Sequence, residues 1–370
     1  MKPYQQAVDT VLPNLARFFN RGFEIHVDGS DADIQSLSGA DVMVMVVSTH
    51  RSQTDYFLFG WVLYNQGIKH VRIAAGDNLT NFPVLGRKFR SFGAFAIHRD
   101  TGFKRNYVRD LCKAVVGMME NDEPILLFPE GGRSYGGNMM EIKGGVLLSA
   151  IIAQARNPAK KVYLLPAAVS YEHLPELPYF GLLKKGKELR RKTNGFFRRF
   201  LGGICYFGAD IIAFAKLLLK VRLGGKQGGV FIDFGKPVGV NDIVDITANF
   251  NAAARDEFSG HQVSMRRICD RLYGALQSLY RLLPEHIVAA ALSEKETMTK
   301  AECIESVRRM MLLARERKRN LKTLEPLTGE QICTIGLKQL RYVKAIRLQG
   351  SVIGVQNRMI VGYYAAALLP

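Results

Sequence analysis

Through the first 240 residues, short apolar runs of strand length alternate with stretches of helical spacing, and this alternation is the strongest constraint on the fold. "DVMVMVV" (41–47) is an unbroken β-branched and methionine run, as expected of a strand covered on both faces. "DYFLFGWVLYNQG" (55–67) reads as a helix closed by Gly67. Further strands are expected at 71–76, 94–98, 124–132 and 161–172, with helices at 107–122 and 144–156. Before them, Val8, Leu12, Leu15, Phe18 and Phe19 share one face of a helix over 4–21, and "FEIHVDG" (23–29) reads as a strand or hairpin arm. The pattern predicts an α/β fold, a mixed, partly parallel sheet flanked by helices. "GGVFIDFGKPVGV" (228–240) returns to strand character, and the chain beyond it is almost wholly helical in pattern. The expected organisation is therefore a domain over 1–240 and a mostly helical C-terminal region over 241–370.

In such sheets ligands gather beyond the carboxyl ends of the strands. Three strand ends carry polar chemistry. "STHRSQTD" (48–55) comes directly after the first buried strand. On a regular helix, five positions would set His50 and Asp55 about 140° apart. They meet only if His50 lies in the turn and Asp55 in the first helical turn. Asp55 would then hold one imidazole nitrogen, and the other could take a proton from a hydroxyl. The alternative is a plain helix start, capped by Ser52 or Thr54, with Asp55 complementing the helix dipole. "SFGAFAIHRD" (91–100) brings Arg99 out of a strand where it could meet an anion. "LLFPEGGRSYGG" (126–137) ends a strand in Glu130, Gly131, Arg133 and Ser134. Glycines let backbone amides approach a phosphate, and an arginine can bind one through two hydrogen bonds.

The formal net charge of +18 calls for anionic partners: nucleic acid, a membrane surface or phosphorylated substrates. Residues 184–199 hold eight basic side chains and one acid, Glu188. Lys184, Lys185, Arg190, Arg191, Arg198 and Arg199 belong to this run, which adjoins an apolar segment at 200–221. That segment is long enough to span a bilayer, but Asp210 and Lys216 interrupt it, and a charge at the bilayer centre costs at least ~2.5 kcal/mol. It is expected to lie in the interface or dip into one leaflet, docked on anionic lipid. The five cysteines are scattered, without C-x-x-C or zinc spacing, so reduced thiols and no metal site are expected. The N-terminus shows no signal-peptide pattern, and the odd, scattered cysteines read as those of a cytoplasm-facing protein.

Taken together and in this order, "HRSQTD", "GAFAIHRD", "FPEGGRS" and "LLPAAVSYE" resemble the motif set of the glycerolipid acyltransferase superfamily. "HRSQTDYFLFGWVLYNQG", "IAAGDNL" and the double glycine of "EGGRS" are similar to its glycerol-3-phosphate and dihydroxyacetone-phosphate branch. Departures stand at His98, Asp100 and Tyr135, where the branch usually has other residues, often basic. The resemblance implies acyl transfer from acyl-CoA or acyl carrier protein to the sn-1 hydroxyl of glycerol 3-phosphate, giving lysophosphatidic acid, with no other cofactor. It implies His50 as base, Asp55 as its partner, and Arg99, Glu130, Gly131, Arg133 and Ser134 around the acceptor phosphate. A membrane-associated protein, peripheral or monotopic, is the matching expectation. The rival within the class is a lysophosphatidate or other lysophospholipid acyltransferase. A nucleic-acid- or lipid-binding protein without catalysis is the rival outside it. Nucleic acid is disfavoured because the basic residues cluster with apolar sequence and no reading module is present.

Overall fold

The computed structural model describes residues 2–39, 41–76, 85–98, 105–185, 196–246 and 261–368. Arg99, Arg190 and Arg191 lie outside the described residues. The main sheet contains β1 (Glu24–Asp28), β2 (Val42–Ser48), β3 (Arg72–Gly76), β4 (Ala94–Ile97), β5 (Ile125–Leu127), β6 (Lys161–Tyr171), β7 (Gly229–Phe234) and β8 (Val238–Gly239). Its order is β1-β7-β6-β2-β5-β3-β4, with β8 also on β6. The strands β6, β2, β5, β3 and β4 are parallel, whereas β7 runs antiparallel to β6. This is the mixed sheet expected from the alternating pattern. The segment at 23–29 forms no hairpin: β1 pairs in parallel with β7, some 200 positions on.

The central strand β2 shows why its sequence is apolar throughout. Val44 and Val46 enter one core, and Met43, Met45 and Val47 the other. Successive side chains point to opposite faces, so a strand covered on both sides has no polar phase. Fully burying one such side chain is worth about 1.5–3 kcal/mol. One face is covered by α1 (Pro3–Gly22) and α3 (Asp55–Asn65); a short helix, α2 (Asp31–Gln35), lies between them in the chain. After α4 (Leu85–Ser91), the helices α5 (Arg105–Glu120) and α6 (Leu148–Arg156) cover the other face. α7 (Phe196–Arg222) packs Ala209, Leu217 and Val221 into the first core.

The short helix α8 (Val240–Ile243) leads to the C-terminal region, whose helices cover both faces of the sheet. α9 (Gln262–Leu279) places Ile268, Leu272 and Leu276 in the second core. α10 (Pro284–Leu292), α11 (Lys300–Glu316), α12 (Gly329–Tyr342) and α13 (Arg358–Ala365) contribute to the first. This region is mostly helical, but it also holds a small antiparallel sheet of β9 (Thr297–Thr299), β10 (Ile346–Gln349) and β11 (Val352–Val355), in the order β10-β11-β9. These strands of three and four residues are too short for a two-residue period to stand out.

The buried strand expected to run into a glycine turn within 124–132 ends at Leu127. Pro129 has no N–H for a ladder, and Gly131 N–H turns back to Phe128 O at 3.1 Å. A loop comes next, and α13 packs against it. Gly137, at φ +85°, lies so close that an added Cβ would stand 1.8 Å from Tyr363 O. Gly137→Ala is therefore expected to cost about 3 kcal/mol or more in urea unfolding. Gly274→Ala is the control. That glycine lies inside α9 with open space around it, and the change should add about 0.5–1 kcal/mol.

Candidate active site

The parallel strands deliver their carboxyl ends to one edge, where the loops after β2, β5 and β6 meet. After Ser48 the chain runs through Thr49–Thr54 before α3 begins at Asp55. Thr54 stands at the N-cap position, but its side chain makes no cap bond to the helix. Its N–H instead meets Ser52 Oγ at 3.0 Å. The Asp55 carboxylate folds back over the loop. Oδ2 accepts Arg51 N–H at 2.7 Å and Ser52 N–H at 2.9 Å, and lies 2.9 Å from His50 Nδ1. Oδ1 accepts the Tyr171 hydroxyl at 2.5 Å. Both expected readings of "STHRSQTD" therefore hold in part: it is a helix start, and it is what joins His50 to Asp55.

A carboxylate oxygen only accepts, so the ring donates to it: Nδ1 carries the imidazole proton and Nε2 is the basic nitrogen. The ring is 2% exposed, stacks on Phe128 at 4.4 Å between centroids and meets the edge of Tyr56 at 5.1 Å. Burial, and then the Asp55 charge, push the Tyr171 hydroxyl well above its ordinary pKa, so it stays a donor.

Glu130 and Ser134 grip the same loop from the other side. Glu130 Oε1 accepts His50 N–H at 3.1 Å, and Oε2 accepts Met140 N–H at 2.9 Å. Ser134 N–H donates to His50 O at 3.3 Å. Gly131 sits at φ +71°, with Lys143 filling the space a Cβ would need.

Residues 33–170 match the family model described as acyltransferase. The chain is 35% identical over 193 residues to a glycerol-3-phosphate acyltransferase of Hamiltonella defensa, covering 51% of this chain and 23% of that relative. It is 31% identical over 201 residues to a glycerol-3-phosphate acyltransferase of Xanthomonas axonopodis pv. citri, covering 54% and 21%. The similarity to acyltransferases thus spans the strand-end loops that hold His50, Asp55, Glu130 and Arg133. The matched part spans less than a quarter of these curated relatives.

Arg133, inside the matched region, is buried and lies between two carboxylates. Nη2 donates to Asp210 Oδ2 of α7 at 2.8 Å, and Nη1 is 3.7 Å from Glu176 Oε1. Its guanidinium also lies over the Tyr135 ring at 5.4 Å. Glu176, in the turn after β6, accepts Ser52 Oγ–H and Gln53 N–H, each at 2.8 Å. Burial raises its pKa, against the pull of Arg133. Ser134 Oγ is buried, with no hydrogen-bond partner among the described residues. Lys184 and Lys185 are exposed in the segment after β6, and Arg198 and Arg199 fall within α7.

Tyr171, Glu176 and Asp210 are site residues that the sequence motifs do not pick out. Two carry a usable signal: Glu176 lies between Leu174 and Leu177, and Asp210 interrupts an apolar run. A carboxylate bracketed by buried apolar residues needs a partner, and here that partner is Arg133.

Arg51 likewise escapes the motif reading. Fully buried, it lies 3.5 Å from Glu130 Oε2 and stacks on Tyr280 of the C-terminal region at 4.8 Å. Burial disfavours its charge, but the Glu130 carboxylate outweighs that and raises its pKa. Arg51→Met should destabilise by about 3–5 kcal/mol, because it leaves Glu130 as a buried charge without its cation. Arg51→Met combined with Glu130→Gln should lose less than Arg51→Met alone in the same urea titration. A larger loss would mean the pair is not coupled.

Proposed function

We propose that this acyltransferase domain moves a fatty acyl group from an acyl thioester to the sn-1 hydroxyl of glycerol 3-phosphate, giving lysophosphatidic acid. The observation that carries this reading is the buried His50–Asp55 pair, with Tyr171 on the far side of the carboxylate. The similarity to curated glycerol-3-phosphate acyltransferases supports the choice of acceptor. His50 Nε2 takes the hydroxyl proton as the acceptor oxygen attacks the thioester carbonyl. The C–O bond forms, the C–S bond breaks, and the proton passes from His50 to the departing thiolate of CoA or acyl carrier protein. Asp55 keeps Nδ1 protonated and the ring in place, and stabilises the imidazolium that forms. The acceptor attacks directly, so no cofactor is needed beyond the thioester. Arg133 and Ser134, together with Arg99, bind the acceptor phosphate. Glu130 and Gly131 hold the loop that presents His50.

The domain works at a membrane surface on this reading. Among the described residues no helix is long and apolar enough to cross a membrane. α7 nevertheless exposes Ile211, Ile212, Leu218 and Leu219 while burying Ala209, Ala213, Leu217 and Val221, and Leu223 just beyond it is 78% exposed. An apolar face left open in a stretch of chain that also carries Lys184, Lys185, Arg190, Arg191, Arg198 and Arg199 suits anionic lipid on the cytoplasmic side.

His50→Ala should cut kcat by about 10²–10⁴-fold in a chain that still folds, with a lowered unfolding midpoint because buried Asp55 loses a donor. The assay supplies glycerol 3-phosphate, dihydroxyacetone phosphate and lysophosphatidate as acceptors, with CoA and carrier-protein donors. Wild-type turnover by the variant would refute the base, and preference for lysophosphatidate would move the enzyme to the neighbouring class. In vesicle co-sedimentation, Leu219→Asp with Leu223→Asp should abolish binding to phosphatidylglycerol-containing vesicles and leave the circular dichroism spectrum unchanged. Undiminished binding would remove α7 from the membrane contact.

A further inference from the structure

Arg133 does not meet Asp210 alone. Gln53 Nε2, from the loop that carries His50, donates to the same oxygen, Asp210 Oδ2, at 3.0 Å. A guanidinium and a primary amide, from the loops after β5 and β2, thus converge on one anionic oxygen that a third element, α7, brings in. That is a donor arrangement for an oxyanion. We propose that Gln53 and Arg133 are the donors of the acceptor-phosphate subsite, and that Asp210 occupies this subsite until the acceptor displaces it. The proposal rests on the acyl-transfer reading above and adds to it a specificity residue, Gln53, and an internal competitor, Asp210.

Three observations favour a substitutable anion over a permanent ion pair. The first is incomplete pairing. Asp210 Oδ1 and Ser134 Oγ are both buried with no hydrogen-bond partner among the described residues. A carboxylate presents one oxygen to the two donors and leaves the rest of the site unserved. A phosphate has three terminal oxygens, one of which could take the Ser134 hydroxyl, and it carries about −2 charge where the carboxylate carries −1.

The second observation is the second carboxylate. Glu176 lies on the other side of Arg133 and is anchored by Ser52 and Gln53 N–H. Arg133 therefore keeps a counter-charge when Asp210 leaves. The third is the exit route. Asp210 comes from α7, whereas Gln53, Arg133 and Glu176 come from the loops after β2, β5 and β6, so its withdrawal needs movement of its own side chain or helix and not of those loops. α7 is also the helix whose opposite face is apolar and open. Position 53 stands three residues after His50, in the same loop.

The test uses the full chain and inorganic phosphate as the probe, measured by calorimetry without acyl donor, alongside steady-state kinetics with glycerol 3-phosphate. Asp210→Asn keeps the shape of the side chain and removes its charge. It should tighten phosphate binding and lower the acceptor KM, each by about tenfold, a size in keeping with one charge-assisted hydrogen bond. Gln53→Ala should raise the acceptor KM by about tenfold and weaken phosphate binding, with kcat within about twofold of wild type. This second variant moves the readout the opposite way, so a disturbed α7 in Asp210→Asn cannot hide the answer. Unchanged phosphate binding in both variants would make Asp210–Arg133 a structural pair and overturn the subsite. A fall in kcat at constant KM in Gln53→Ala would overturn Gln53 as a binding residue. If the wild-type chain transferred no acyl group while Asp210→Asn still tightened phosphate binding, the acyl-transfer reading would fall and the anion subsite would stand.

Discussion

One carboxylate organises this site. Asp55 accepts two backbone N–H groups of its own loop, the imidazole of His50 and the hydroxyl of Tyr171. A fully buried carboxylate is tolerated only when its lone pairs are used, and here all the donors come from elements that must be in place together. The loop fixes the position of His50, and Tyr171 at the end of β6 fixes the carboxylate. An imidazole held in this way needs little reorganisation to accept a proton, which is what the proposed role of general base requires.

A second tie joins this loop to the rest of the molecule. Glu130 holds His50 N–H and pairs with Arg51, and Arg51 stacks on Tyr280. Gly137 lets the same glycine-rich loop lie against Tyr363. The C-terminal helices thus press on the residues that shape the site. Part of the role of "EGGRS" is mechanical: Glu130 and the Ser134 N–H grip the His50 loop, while Arg133 meets the carboxylates of Glu176 and Asp210.

Much of the fold was legible in residue patterns. The unbroken apolar run at 41–47 predicts a strand covered on both faces, and β2 fills both cores. The helix at 55–67 and the strand at 161–172 come from the same periods. The pattern could not say that β1 pairs with β7 rather than folding into a hairpin, because parallel pairing depends on distant chain. Nor could it find β9, β10 and β11, whose few residues hold no clear period. In the site, His50, Asp55, Glu130 and Arg133 were readable because their residue types cluster at strand ends. Arg51 and Tyr171 were not, because each acts through a partner on another element.

The sequence by itself determined the two-sided strand, the helix start that lets His50 and Asp55 meet, and the order of the polar strand ends. Those are local matters, set by side-chain period and by the short reach between positions 50 and 55. Only the tertiary structure decided what the arginine at 133 touches. Asp210 lies 77 positions further along the chain and Glu176 lies 43, and no local spacing encodes either meeting. Buried charge must find buried counter-charge, and that partner is chosen by the packing of α7 and the turn after β6 against the sheet edge.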